Sequence, residues 1–252
     1  NTVFTATAPT SGNNIQHRWY VSTNGGASWN ALSNTGVYSG ATTSMLTITG
    51  APITMNGYRY RDSLYVTACS TNIVSSAGVL TVNPNPVIVL SANPYTALFP
   101  GLTTTLAAAV SPNAASTYTW YANGVPVTGT ANTLPLTVDQ LGTYSVEVED
   151  INGCMGTSNS IVIKDSVSDI LYVYPSPSNG PFNVRYYSNT TGARSLNVYD
   201  HKGARIYTKL YTITGPYTNL PVDIPNLSRG IYTVELADRN GKRIKTGRIL
   251  IQ

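Results

Sequence analysis

The sequence predicts an all-β protein built from three β-sandwiches in tandem. Runs in which apolar and polar residues alternate recur roughly every 8 to 12 residues, separated by turn residues, and no segment shows the period of an amphipathic helix. Charged residues make up only 10% of the chain, against roughly 25% in ordinary soluble domains, whereas there are 18 tyrosines and 21 glycines. This composition, rich in strand formers and poor in charge, is typical of secreted and cell-surface β-domains.

The first sandwich is predicted over residues 1 to 83, where the alternating runs are TVFTATA, HRWYVST, SMLTITG, YRYRDSLYVTA and AGVLTV. Trp19 and the turn sequence after it resemble strand C of bacterial immunoglobulin-like modules of surface proteins, and NGYRYR resembles the start of strand F. The resemblance implies that Trp19 is the buried core tryptophan and that Tyr60 forms a tyrosine corner. Asp62 stands where the second cysteine of an antibody domain would fall. We expect an immunoglobulin-like module that is truncated at its N-terminus.

A second module of the same kind is predicted over residues 84 to 165. VNPNPVIV, from Val82 to Val89, predicts a short, stiff linker ahead of it. Trp120 then repeats the tryptophan-and-turn pattern, and DQLGTYSV has the glycine and tyrosine spacing of a tyrosine corner. KDSVSD, from Lys164 to Asp169, predicts a second linker.

The last third of the chain carries three motifs: VYPSPSNGPFNV, LNVYDHKGARIY and LSRGIYTVELADRNGKRIKTGRILIQ. Pro175 and Pro177 cannot donate to a β-ladder, and a turn containing Gly180 follows them. Gly203 closes a tight turn between two alternating runs. Asn240-Gly241 is the strongest two-residue signal for a type I′ hairpin turn. The motifs therefore predict a small sandwich built from hairpins.

In their order and position, these motifs resemble the type A C-terminal sorting domain of cargo exported by the type IX secretion system of Bacteroidota. The resemblance covers residues 166 to 252, with one departure: Ser176 stands between the two prolines where the family usually has Asn. It implies recognition by the type IX translocon, removal of the domain, and attachment of the cargo to a surface lipopolysaccharide by a sortase. Because cleavage needs an accessible, extended segment, we expect it within or next to the second linker. The residues that carry the sorting motif are then Pro175, Pro177, Gly180, Tyr199, Gly203, Gly230, Tyr232, Gly241, Lys242, Arg243, Lys245 and Arg248.

Charge is distributed unevenly over the three predicted domains. The first holds three basic residues against one acidic, the second one against five, and the third eleven against five. Much of the basic excess lies in the last hairpin, where it could steer an acidic partner or protect an edge strand from aggregation. Nucleic-acid binding is not expected, because basic and aromatic residues are not interleaved in a readout pattern.

Catalytic and metal chemistry find little support. The two histidines, His17 and His201, lie in different predicted domains, and neither has a carboxylate or cysteine at motif spacing. Glu147, Glu149 and Asp150 could bind calcium, but alternating charges on a strand normally mark its solvent face. We expect no catalytic residues, no metal and no cofactor.

Two aromatic residues and two cysteines are further candidates for binding or cross-linking. Trp29 and Tyr38 form a candidate ligand face in the first module, since exposed aromatic rings can stack on sugars. A tryptophan at this spacing in such modules commonly packs beside the turn between strands C and C′, which is the interpretation we favour. Cys69 and Cys154 follow strand F candidates of different modules, so we expect them to lie too far apart for a disulfide.

These observations favour a non-catalytic C-terminal region of a large exported protein, secreted or held at the outer-membrane cell surface. Two spacer or adhesion modules of unknown ligand would precede the sorting signal. Two alternatives stay open: the accessory tail of a secreted hydrolase whose catalytic domain precedes Asn1, and a carbohydrate-binding module over residues 1 to 83. The chain begins inside a predicted strand and shows no signal peptide or apolar run of membrane-spanning length, so we expect a fragment of a longer protein.

Overall fold

A computed structural model describes residues 1–7, 15–66 and 71–252, without the side chains of Val66 and Thr71. In these ranges the regular structure consists of β-strands and one 3₁₀ turn, Ile53–Met55, and includes no helix able to cross a membrane. The predicted all-β fold is confirmed. The chain divides into two compact units, Asn1–Asn85 with Asn152–Cys154, and Pro86–Ile151 with Met155–Gln252.

The first unit packs two antiparallel sheets around an aromatic core. Its strands are β1 (Thr2–Thr5), β2 (Ile15–Ser22), β3 (Asn30–Ala31), β4 (Tyr38–Ser39), β5 (Met45–Ile48), β6 (Arg59–Val66), β7 (Thr71–Val74) and β8 (Gly78–Val79). One sheet has the order β1-β5-β4, and the other has the order β3-β2-β6-β7, with β8 also paired to β6. The core contains Trp19, Leu46, Ile48 and Tyr60, each at most 3% exposed. Trp19 is therefore the buried tryptophan that the sequence predicts.

The second unit begins with a sandwich that we call module 2, residues 86–151 and 155–165. Its strands are β9 (Val87–Asn93), β10 (Ala97–Leu98), β11 (Thr103–Ser111), β12 (Ala115–Ala122), β13 (Val125–Val127), β14 (Thr133–Thr137), β15 (Gly142–Asp150), β16 (Met155–Thr157) and β17 (Ile161–Asp165). The sheet β14-β11-β9 faces the sheet β10-β17-β15-β12-β13, in which β16 also pairs with β15. Trp120 is fully buried in the core and donates from Nε1 to the carbonyl of Ala131 at 2.9 Å.

The second sandwich of this unit is called the tail, residues 171–252. Its strands are β18 (Tyr172–Tyr174), β19 (Phe182–Arg185), β20 (Gly192–Tyr199), β21 (Arg205–Ile213), β22 (Leu220–Val222), β23 (Gly230–Ala237) and β24 (Arg243–Ile251). The sheets have the orders β18-β19-β22 and β21-β20-β23-β24. Phe182, Val184, Leu196, Val234 and Ile249 are among the side chains of its core.

Both predicted linkers are shorter in the structure than in the sequence analysis. β9 already begins at Val87, because the β-branched residues at the end of the first linker pair with β11. Lys164 and Asp165 still belong to β17 and pair in parallel with Ala97 and Leu98 of β10. Residues 166–170, which we call the junction, have no regular structure. The domain boundaries at residues 83 and 165 stay predictions.

Candidate functional site

The first and third motifs of the tail lie against each other. The prolines Pro175 and Pro177 both follow cis peptide bonds, and the chain between and after them runs beside the end of β24. Ser178 donates its amide to the carbonyl of Leu250 at 2.9 Å and accepts the amide of Gln252 at 3.0 Å. The motif around the prolines therefore covers the last residues of an edge strand, which shields their backbone groups from other strands.

The glycines of the three motifs lie at two opposite ends of the tail. Gly230 opens β23 opposite Ile251, and Ser178 bridges to the same Ile251, so the turn containing Gly180 lies at this end. The β20–β21 turn that contains Gly203 lies there as well, because Tyr199 pairs with residues of both β21 and β23 near this end. A cavity of about 610 Å³ is lined here by residues that include His201, Arg229 and Tyr232. We call this the distal end.

The β23–β24 turn lies at the other end of the tail, which we call the proximal end. Gly241 has a φ of +78°. The predicted type I′ turn at Asn240-Gly241 is wrong, because that turn requires a positive φ at both residues and Asn240 does not have one. Instead, the amide of Gly241 donates to the carbonyl of Asp238 at 3.1 Å, and the carboxylate of Asp238 accepts the amides of Asn240 and Lys242, each at 2.8 Å. Asp169 of the junction forms an ion pair with Lys245 at the start of β24. Because Gly230 and Gly241 mark the two ends of β23, the three motifs do not form one continuous site.

Glu235 joins two of the predicted motif residues. Its Oε1 accepts hydrogen bonds from the hydroxyl of Tyr199 and the amide of Asn197, both at 3.1 Å, and its Oε2 lies 2.9 Å from Nε of Arg243. Burial alone would raise the pKa of Glu235, but these hydrogen bonds, with Asn197 contributing most, lower it below the usual value. Sequence reasoning missed Glu235. Thr233 and Glu235 alternate with buried apolar residues along β23, which was the available signal that they share a face of the strand. This alternation does not show which residues of the neighbouring strands they contact.

The basic residues of the last hairpin divide into two groups. Arg243 and Lys245 are in ion pairs with Glu235 and Asp169, so part of their role is to hold the hairpin and the junction in place. Lys242 and Arg248 are exposed. Carboxylate partners partly neutralise the charges of the first group, so Lys242 and Arg248 are the better source of a charge that a partner could meet.

A small residue on β24 lets the start of the tail lie across it. A Cβ added to Gly247 would lie 3.0 Å from Cγ2 of Val173 and 3.2 Å from the carbonyl oxygen of Leu171. These contacts are tighter than most Cβ contacts. The glycine at this position therefore permits β18 to pack closely on β24.

Two tyrosines form corners with the same local geometry. The hydroxyl of Tyr144 donates to the carbonyl of Gln140 at 2.7 Å, and that of Tyr232 donates to Ser228 at 2.8 Å. In each case a glycine two residues earlier has a φ of +154°. Tyr144 is the corner that the sequence predicts. The prediction for Tyr60 is wrong, because its hydroxyl meets that of Tyr38 at 3.2 Å instead of a backbone carbonyl.

The aromatic residues of the predicted ligand face are engaged within the first unit. Nε1 of Trp29 donates to the carbonyl of Gly26 at 3.0 Å, and the guanidinium of Arg61 lies over the indole ring at 4.0 Å. The ring of Tyr38 packs edge-on against Tyr60. The structure thus brings neither ring out as an open, flat platform for a sugar.

The structure also pairs His17 with a carboxylate that the sequence analysis did not find. Nδ1 of His17 lies 2.5 Å from Oδ2 of Asp62, whose side chain is fully buried, and Oδ1 accepts the amide of Arg18 at 3.0 Å. Residues 45 apart in sequence form this pair because β2 and β6 are neighbours. His201 lies in the exposed β20–β21 turn. Cys69, which we expect to lie too far from Cys154 for a disulfide, falls outside the described residues.

The calcium interpretation of the acidic strand is not supported by the arrangement of its carboxylates. Asp150 is buried, and its Oδ2 accepts a hydrogen bond from Asn113 at 2.8 Å. Glu147 and Glu149 lie on the other face of β15, and Glu147 accepts the hydroxyl of Tyr121 at 3.1 Å. Within the described ranges, no three His, Cys, Asp or Glu residues are grouped as a metal site would need.

Comparison with protein families matches residues 172–252 to the secretion system C-terminal sorting domain. This stretch is the tail without Leu171, and the resemblance to a type IX sorting domain is confirmed. The domain marks exported proteins, so the chain is secreted or attached to the cell surface. No curated protein matches the chain.

Among solved structures, the chain is similar to tandem immunoglobulin domains. The N-terminal four Ig domains of Dscam1 isoform 4.44 share 18% identity over 60% of this chain and 38% of that chain, with a TM-score of 0.29. The N-terminal eight Ig domains of DSCAM isoform 1.30.30 share 14% identity over 100% of this chain and 34% of that chain, also with a TM-score of 0.29. The chain thus spans less than half the length of these structures.

Proposed function

We propose that this chain is the non-catalytic C-terminal region of an exported cell-surface protein, in which two immunoglobulin-like spacer or adhesion modules carry a sorting tail that type IX machinery recognises. The match of residues 172–252 to the sorting domain family is the observation that supports this function. The partners of the tail are the translocon and a sortase component. After processing, the cargo would be attached to a surface lipopolysaccharide.

The junction is the segment where the tail is removed. A protease needs an accessible, extended segment. Residues 166–170 have no regular structure, and Val167 and Ile170 are 73% and 58% exposed. Ser166 is held more firmly, since its amide donates to Leu98 at 2.8 Å and its carbonyl accepts the hydroxyl of Tyr217 at 2.5 Å. We therefore place the cut between residues 167 and 170.

Recognition of the tail can be tested with a reporter. Residues 166–252 fused to a neutral reporter should direct its secretion in a bacterium with a type IX system, and the released reporter should end between residues 167 and 170. Absence of secretion of this fusion would remove the sorting assignment.

The contribution of the last hairpin needs point variants, because deletion of residues 243–252 also removes Ile249 and Ile251 from the core. Lys242→Gln combined with Arg248→Gln changes exposed charges without touching that core. We expect reduced secretion. Lys202→Gln, an exposed change in the turn at the distal end, is the matched control. Equal secretion of the double variant and the control would show that the hairpin charge is not recognised.

A further inference from the structure

An ion pair connects the tail to module 2. Nη1 and Nη2 of Arg185, on β19, lie 2.5 and 3.0 Å from Oδ1 and Oδ2 of Asp139, which follows β14. This two-point geometry is among the stronger kinds of charged hydrogen bond. Arg185 is only 8% exposed. If Asp139 moved away, a largely buried guanidinium would lose its counter-charge, which is strongly unfavourable.

Aromatic rings from both sides pack beside this ion pair. Phe99 of module 2 stacks on Tyr172 of the tail with ring centroids 5.9 Å apart, and Tyr217 packs edge-on against Tyr172 at 6.0 Å and against Tyr187 at 5.6 Å. Tyr217 is 3% exposed and belongs to the hydrophobic core of module 2, although it lies in the tail sequence. Burial raises its pKa to about 12. Buried aromatic contacts of this kind add to the stability of an interface beyond the area that they cover.

These contacts do not depend on the peptide bonds of the junction. Ser166, which accepts the hydroxyl of Tyr217, lies before residues 167–170, so the bond between them joins the two sides of a cut made there. The ion pair and the Phe99–Tyr172 contact also join residues on opposite sides of the same segment. Cleavage of the junction removes one covalent link and leaves these three interactions in place.

We propose that the tail remains bound to module 2 after the chain is cut between residues 167 and 170, so that release of the tail requires a separate step that opens this interface. This inference rests on the proposed function in one respect, namely that the tail is removed in the cell. The contacts that hold the tail to module 2 do not depend on it. A cavity of about 490 Å³ lies beside Arg185, lined also by Leu102 and Val138 of module 2 and by Tyr172 of the tail. The interface is therefore not completely filled, and another molecule can reach the ion pair from this side.

The test uses the full chain and an added protease, so that its result does not depend on export. A recognition sequence for a site-specific protease is inserted between Val167 and Ser168, the purified chain is cut, and the fragments are separated by size-exclusion chromatography at micromolar concentration. We expect the two fragments to elute together. Separate elution of the wild-type fragments would overturn the proposal.

The ion pair is tested with Asp139→Arg, a change at a side chain that is 62% exposed. The dissociation constant of the cut fragments should rise on the order of 30-fold or more, because the substitution places a like charge beside the largely buried Arg185 at the interface. Asp223→Arg, at an exposed acidic residue elsewhere in the tail, is the matched control and should leave the fragments together. Circular dichroism of each uncut variant establishes that it is folded. Equal affinities for the Asp139→Arg and Asp223→Arg fragments would refute the role assigned to the ion pair.

Discussion

The hydroxyl of Tyr232 donates to the backbone carbonyl of Ser228, 2.8 Å away, and so fixes the chain that leads into β23. We predict that Tyr232→Phe lowers the free energy of unfolding of the tail by about 1 kcal/mol, because it removes one hydrogen bond and leaves a carbonyl without its partner. Hydrogen exchange of the β23 amides, measured by mass spectrometry, should become faster. Tyr95→Phe, at an exposed ring, should leave these rates unchanged. Equal rates in the two variants would contradict a stabilising role for the corner.

The stability of the tail should fall in acid because of Glu235. Its pKa in the folded tail is below the usual value of 4.5, so the ionised carboxylate stabilises the folded state. This contribution is fully present above the pKa of the unfolded chain and is lost as the pH falls through the lower pKa of the folded tail. Thermal unfolding from pH 6 downwards should therefore show a decrease in Tm that begins just below pH 4.5. A Glu235→Gln chain should lack this part of the decrease, and identical pH profiles for the two chains would exclude Glu235 as its source.

The buried pair of the first unit should be sensitive to loss of its carboxylate. Asp62→Ala leaves His17 and the amide of Arg18 without their acceptor, so we expect the free energy of unfolding of this unit to fall by about 2 kcal/mol. Asp62→Asn keeps an acceptor oxygen and should be less destabilising. Chemical denaturation of the three chains provides the comparison. An Asp62→Ala chain as stable as the wild type would show that the pair contributes nothing.

Trp29 should not act as a sugar platform. Its ring is covered by Arg61, and its Nε1 is bonded to the turn, so we predict that the chain migrates in polysaccharide-containing gels as it does without polysaccharide. Trp29→Ala should leave this migration unchanged. Tyr95→Ala, which removes an exposed ring, serves as the comparison. Retardation of the wild-type chain that Trp29→Ala abolishes would instead support a carbohydrate-binding module.

Features that depend on short stretches of chain could be predicted from the sequence. Alternation of apolar and polar residues indicates which strand face is buried, and Trp19 and Trp120 are buried as expected. The Tyr144 corner and the positive φ of Gly241 were also predictable, because a hydrogen bond across four residues or a positive φ depends mainly on its neighbours. The type of turn at Asn240-Gly241 was not, because the carboxylate of Asp238 accepts two amides of a longer turn.

Contacts between residues far apart in sequence were decided only by the tertiary structure. Asp62 receives His17 across β2 and β6, and Tyr60 meets Tyr38 instead of a backbone carbonyl, because these partners follow from strand order and register. Asp139 and Arg185 lie 46 residues apart and meet because the tail packs on module 2. No local sequence pattern predicts a contact between residues so far apart in the chain. The sequence thus determined the strands, the positions of the turns and the sorting motifs, whereas packing determined which charged groups pair and how the tail is held.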